Sequence, residues 1–142
     1  MKYEKYMNKF KVSIEKDKDG SYIAYNTNSD AYTLIGRGNT VKEAKADFIN
    51  SMKSVAEMEN EMQGKCSDYL INEPDYKFDL SSLFEYYSML NVSAFARFLG
   101  INDTLMRQYK KGNTYISENQ LHKIEDGIHK LGAEFSNLKL VW

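Results

Sequence analysis

The sequence predicts an α+β fold in two parts, a β-rich first half and an all-helical second half. Three observations predict it. Between residues 9 and 15, Phe10, Val12 and Ile14 alternate with Lys9, Lys11, Ser13 and Glu15, the two-residue period of a half-covered strand. From Val41 onward, apolar residues recur at the three-to-four spacing of helices. The one proline, Pro74, falls in "GKCSDYLINEPDY", which reads as a connector. The division is therefore one domain over 1–63, a connector over 64–76 and a second domain over 77–142.

The elements follow in order. "KFKVSIEKDKDGSYIAYNTN" reads as a hairpin, with "DKDG" as its turn and Gly20 free to take a positive φ. "AYTLIG", Ala31 to Gly36, reads as a third strand ended by Gly36 and Gly38. Thr40 and Glu43 have capping-box spacing and open a helix that runs to about Gln63, where Gly64 terminates it. Its apolar stripe is Val41, Ala44, Phe48, Met52, Val55 and Met62, with Ala56 beside it. Leu83, Phe84 and Tyr87 then fall at helical spacing. Asn91 opens a helix through Leu99, and Asn102 opens another that ends near Gly112. Ser117 and Gln120 open a last helix whose Leu121, Ile124, Ile128, Leu131 and Phe135 share a stripe. The tail "LKLVW" alternates Leu138, Leu140 and Trp142 with Lys139 and Val141, as a short strand would. Tyr69, Leu70 and Ile71 read as a docking segment or a further short strand within the connector.

Composition narrows the function classes. The chain has 142 residues, 42% of them hydrophobic, formal net charge −1 and a pI near 6.1. Apolar runs fall far short of the roughly 20 residues of a membrane span. "MKYEKYMNKF" lacks the apolar centre of a secretory signal. One cysteine, Cys66, cannot pair within the chain, so a soluble cytoplasmic protein is expected. Near-zero net charge argues against coating nucleic acid broadly, but a specific reader needs only a few phosphate and base-edge contacts.

Residues 91–112 carry that local chemistry. In "FARFLGINDTLMRQYKKG", Ala96 is small enough for a second helix to cross closely, and Gly100 suits a left-handed turn. Phe95, Leu99, Ile101 and Met106 form the expected interior, and Asn102 caps the second helix, 103–110. Thr104, Arg107 and Gln108 then lie where base edges are read, Arg matching guanine and Gln matching adenine. Lys110 and Lys111 suit phosphates, with Arg97 assisting from the first helix. Tyr109 fits either the core or a backbone contact. Between 97 and 111 four cations face one acid, Asp103. The competing reading is an ordinary helical pair in a bundle.

Other features point to chemistry less strongly. His122 and His129 share one helix but lack further ligands for a metal. Cys66 reads as a free thiol. Asp17, Asp19 and Gly20 resemble the start of a calcium loop whose twelfth position is Asn28, so a hairpin turn is expected. Glu57, Glu59 and Glu61 read as a solvated helix end or an acidic patch for a basic partner, and Met52, Met58 and Met62 as core filler. No phosphate loop, nucleophile elbow or zinc-protease helix is present. No cofactor is expected.

Both halves then support one comparison. "DGSYIAY" followed by "GRGNTVKEAKADF" resembles the hairpin, strand and helix signature of HicB-type antitoxins, with Gly38, Thr40, Glu43 and Ala44 on its pattern. The stretch from "FDLSSLFEYY" through "FARFLGINDTLMRQYKKG" to "ISENQLHKIEDGIHKLG" resembles the helix-turn-helix tail of one HicB subgroup. The likeness spans about residues 9–140. One departure is "NTNSDAY", where many members carry a proline. The resemblance implies a partial ribonuclease-H-like N-terminal domain that binds and masks a HicA-type toxin, an mRNA-cleaving ribonuclease. It implies a C-terminal helix-turn-helix domain that dimerises, with tetramers a further possibility, and represses its own operon at operator DNA. No residue is assigned to the toxin contact.

Catalysis is not expected, because a ribonuclease H site needs several converging carboxylates, and the strands offer only Glu15 and Asp30 at their margins. The alternatives are a transcription regulator whose N-terminal domain senses a small ligand or another protein, and a nuclease relative that retains hydrolysis.

Overall fold

A computed structural model of the chain describes residues 7–112, 114 and 116–141. It is a mixed α+β structure whose described residues form one four-stranded sheet and five α-helices. The chain divides into two compact units, Met1–Tyr86 and Tyr87–Trp142.

In the first unit, β1 (Lys11–Lys16) and β2 (Tyr22–Asn26) form the expected antiparallel hairpin, with Ile14 opposite Ala24. Its turn is closed by Gly20 N–H donating to Asp17 O at 3.0 Å, with Gly20 at φ 89°. Asp19 Oδ1 accepts from Ser21 N at 2.9 Å and from its hydroxyl at 2.5 Å. That hydroxyl bond is the main reason the Asp19 carboxyl lies below its ordinary pKa. The loop's polar groups thus serve the turn itself.

The third strand, β3, covers Ile35–Gly38 and not Ala31–Gly36. Gly36 and Gly38 lie within it. A Cβ on either would run into Glu43 or the backbone of the following helix, residues 41–63, so these glycines let the strand lie close under that helix. Residues 31–34 remain irregular because Asn26 takes over their pairing: its side chain accepts from Leu34 N at 2.7 Å and donates to Tyr32 O at 2.9 Å.

Helix α1 (Val41–Gln63) begins and ends as expected. Thr40 and Glu43 make both bonds of the capping box, and Gly64 closes the helix in a left-handed conformation. Its buried face is Ala44, Phe48, Met52, Ala56 and Glu59. Met62 is off that face and 79% exposed. Phe10, Val12, Ile14 and Ala24 meet Ala44, Phe48, Met52 and Ala56 in one core, sealed by Tyr69 and Leu70. Phe10 stacks edge-on against both Phe48 and Tyr69, at 6.0 and 5.0 Å between ring centroids.

The stretch read as a connector belongs to this unit. Tyr69 and Leu70 dock from a short 3₁₀ turn, Asp68–Leu70, whereas Ile71 is exposed. β4 (Asp75–Phe78) then joins the sheet parallel to β1, giving the order β3-β2-β1-β4. Asp75, Tyr76, Lys77 and Phe78 alternate polar and apolar, but four residues are too short a run to mark a strand, and pairing with β1 decides it. Asp79 caps α2 (Leu80–Tyr86) by accepting from Ser81 N at 3.0 Å. Lys16 N–H donates to Ser82 Oγ at 2.9 Å, and Leu80 and Phe84 are buried. Helix α2 therefore groups with the sheet, whereas the 64–76 and 77–142 division put it with the later helices. Tyr87 falls beyond its end.

The second unit contains α3 (Val92–Leu99), α4 (Asp103–Lys111) and α5 (Glu118–Asn137). Asn91, Asn102 and Ser117 each cap their helix with a side-chain oxygen. Val92, Phe95, Ala96, Leu99, Ile101, Met106, Tyr109, Ile116 and Ile124 are buried. Of the α5 stripe, only Ile124 is buried, and Phe135 is 67% exposed. Residues 138–141 form no strand, and Trp142 of that expected strand lies outside the described residues.

Candidate nucleic-acid interface

The turn between α3 and α4 is built from side chains that leave a left-handed residue as the economical solution. Gly100 sits at φ 72° and its N–H closes on Arg97 O at 3.1 Å. Ile101 N–H reaches back to Ala96 O at 2.9 Å, and Ile101 is buried beneath the turn. Asn102 Oδ1 then accepts from Thr104 N at 2.9 Å and Leu105 N at 3.1 Å, starting α4 at once. Ala96 is fully buried where α4 crosses, so a larger side chain there would hold the helices apart.

Helix α5 braces this pair. Lys123 Nζ donates to the Gly100 carbonyl at 3.2 Å. A Cβ on Gly127 would run into the Leu99 side chain, which fixes how closely α5 approaches α3.

With Met106 and Tyr109 buried, α4 has one free side. Thr104, Arg107, Gln108 and Lys111 stand on it at i, i+3, i+4 and i+7, all exposed. Lys110 is exposed on its flank. Tyr109 resolves to the core, and burial raises its phenol pKa.

Arg107 is held in place. Its guanidinium donates to Ser93 Oγ at 3.0 Å and to Thr104 Oγ1 at 3.3 Å. Gln108 Oε1 accepts from the Thr114 hydroxyl at 3.2 Å. Arg97 turns elsewhere: it pairs with Asp103 at 2.7 Å, locking α3 to α4. That pair cancels one cation and the one acid of the segment. Arg107, Lys110 and Lys111 remain as its net positive charge.

These three cations line a hollow of about 470 Å³ together with Leu90, Asn91 and the first residues of α3, Val92 and Ser93. The positive end of the α3 peptide dipoles opens into the same space. An anion of phosphate size placed there meets three cations and a helix terminus.

Sequence reading placed Thr104, Arg107, Gln108, Lys110 and Lys111 together, and the structure brings four of them to one side of α4, with Lys110 on its flank. Ser93 was missed, and Asp103 was read only as the acid of the segment and not as the partner of Arg97. Ser93 lies on α3 and Arg107 on α4, so no single helical period links them. His122 lies 3.7 Å from Glu118 on the α5 surface. Among the described residues no group of three His, Cys, Asp or Glu side chains could hold a metal ion.

Glu59 departs from the expected acidic patch. It is buried, takes the Tyr32 hydroxyl bond, and accepts from Ser67 N at 2.8 Å and Ser67 Oγ at 2.9 Å. It fastens the loop before β3 and the turn after α1 to one another. Glu15, one of two marginal strand carboxylates, accepts from the Tyr25 hydroxyl at 2.5 Å.

Comparison with protein-family models, curated proteins and solved structures returned no match.

Proposed function

We propose that this chain is a HicB-like antitoxin that also represses its own operon. Helices α3 and α4 act as a helix-turn-helix, α4 enters the major groove, and Thr104, Arg107 and Gln108 read base edges. Lys110 and Lys111 hold phosphates, and the hollow at the start of α3 seats another phosphate of the same backbone. The observation that carries the reading is the free side of α4: five polar or cationic side chains on a short helix braced by a buried Ala96 and a left-handed Gly100. Arg97 contributes by positioning α4 through Asp103.

The first unit supplies the toxin-binding half. Three antiparallel strands, a crossing helix and a fourth strand returning parallel to the first agree with a partial ribonuclease-H-like sheet. It carries no catalysis in this reading. It masks a small basic ribonuclease by burying surface, some 1,200–2,000 Å² for a stable complex. The exposed apolar side of α5 supports a homodimer through the second unit, which presents two α4 helices to two half-sites. No described helix is long and apolar enough to cross a membrane, and the proposed setting is the cytoplasm.

Two measurements test this. The chain is co-expressed with the product of any small reading frame found beside its gene, and random duplex DNA is selected on the purified protein. Co-purification, rescue of growth and enrichment of a two-fold symmetric DNA site are expected. DNA enrichment without toxin binding would favour the regulator that senses another ligand. Failure of both sinks the proposal.

A further inference from the structure

We propose that the open edge of β4 pairs two copies of this chain, antiparallel across a two-fold axis, into one continuous sheet. The two edges of the sheet are treated differently. At β3, α1 covers the outward groups: Asp47 Oδ2 accepts from Arg37 N at 2.9 Å, and Ser51 donates to Ile35 O at 3.3 Å. Such an edge cannot take another strand.

Among the described residues, none gives the outward N–H groups of β4 such cover. Asp75 N–H donates to Phe10 O at 2.9 Å and Asp79 N–H to Ile14 O at 2.7 Å, so residues 75, 77 and 79 turn their backbone groups toward β1. Tyr76 and Phe78 must turn theirs outward. Their N–H groups meet no acceptor among the described residues. An unpaired row of this kind is a template for a strand.

The side chains select the occupant and its register. Centred on Tyr76, a second copy places Tyr76 opposite Tyr76 as a hydrogen-bonded pair, because both present outward groups. Asp75 then stands directly opposite Lys77 of the other copy, twice, on the face away from α1. Lys9, already 3.0 Å from Asp75, continues that row of alternating charge. Shifting the centre to Lys77 places Lys77 opposite Lys77 and Asp75 opposite Asp79, like charges that oppose pairing. Pro74 stands opposite Phe78, where its carbonyl accepts the Phe78 N–H while the Phe78 carbonyl gains no donor, so the ladder in the Tyr76 register is short and the charge pairing selects it. The strand is four residues long, so this contact is weak alone and adds to any other contact between the same copies.

Sedimentation equilibrium of the full chain tests the pairing, in the parent and in a Phe135→Asp background. Lys77→Asp sets two acids against each other and is expected to weaken the sheet-edge association at least about tenfold in both backgrounds. Adding Asp75→Lys to it swaps the pair and restores association. In a Cys66→Ser chain, Asp75→Cys with Lys77→Cys is expected to give covalent dimers on mild oxidation, because facing non-hydrogen-bonded residues lie about 4.5 Å apart. Asp75, Lys77 and Phe135 are exposed and Cys66→Ser is nearly isosteric, so circular dichroism should stay at the parent signal. Equal association of parent, Lys77→Asp and the swap, with no covalent dimer, overturns the proposal and leaves the edge to a strand of a different protein.

Discussion

Two glycines in α5 show how a residue's surroundings decide its sign. Gly132 has open space around a would-be Cβ, so Gly132→Ala should stabilise by about 0.5–1 kcal/mol through helix propensity. At Gly127 the same change drives a methyl into Leu99. Overpacking costs about 1–3 kcal/mol, which exceeds the propensity gain, so Gly127→Ala should destabilise. Urea midpoints of the two variants check this directly. At the proposed recognition face, Arg107→Ala should cost about 1–3 kcal/mol at the selected site and relax base preference. Lys110→Ala should weaken all DNA alike and lower the salt slope by about 1. Equal binding by both variants would mean that α4 is not the reading helix. Tyr76 adds a pH test. Burial, and secondarily Glu73, push its phenol up from 10.0 to about 12. In the unfolded chain the proton leaves first, so stability holds its full value below about pH 10 and falls toward pH 12. Tyr76→Phe should make that decline shallower in urea titrations across this range.

At the scale of elements, helix ends were legible because each cap is a local contract. Thr40 with Glu43, Asn91, Asn102 and Ser117 all sit where their side chains meet a free N–H within three residues. Strand positions were less legible. β3 slid toward Gly36 and Gly38 because α1 packs on its backbone, a contact between residues distant in period. β4 was hidden because its identity depends on β1, over sixty residues earlier. The α5 stripe was read correctly as a pattern, yet the chain itself buries only Ile124 of it. Phe135→Asp therefore should leave the unfolding midpoint of the monomer nearly unchanged while shifting the chain from dimer toward monomer by light scattering. A parent that is already monomeric at high concentration would remove α5 as the dimer contact.

For the whole molecule, the two compact units predict separable activities. On the proposed function, Arg107→Ala and Lys110→Ala should weaken operator control and leave toxin neutralisation at the parent level in growth assays. Changes on α1 or the sheet should do the reverse. Loss of both activities from a folded α4 variant would refute the division of labour. On the proposed function, linking a toxin-binding unit to a DNA-binding unit also lets toxin occupancy alter how dimers settle on DNA. Operator titrations at rising toxin ratios should then give displaced curves, and superimposable curves would end that idea.

The sequence by itself determined the α+β class, the caps, the hairpin turn and the tight bend at Gly100, because each is settled by residues within one or two turns of chain. The cationic side of α4 was legible for the same reason: one short helix carries it. Only the tertiary structure decided that residues 75–86 belong with the sheet, that Glu59 is an internal fastener, and that Arg97 is spent on Asp103. Those outcomes depend on which distant segments come together, and burial or charge pairing across such distances leaves no period in the sequence.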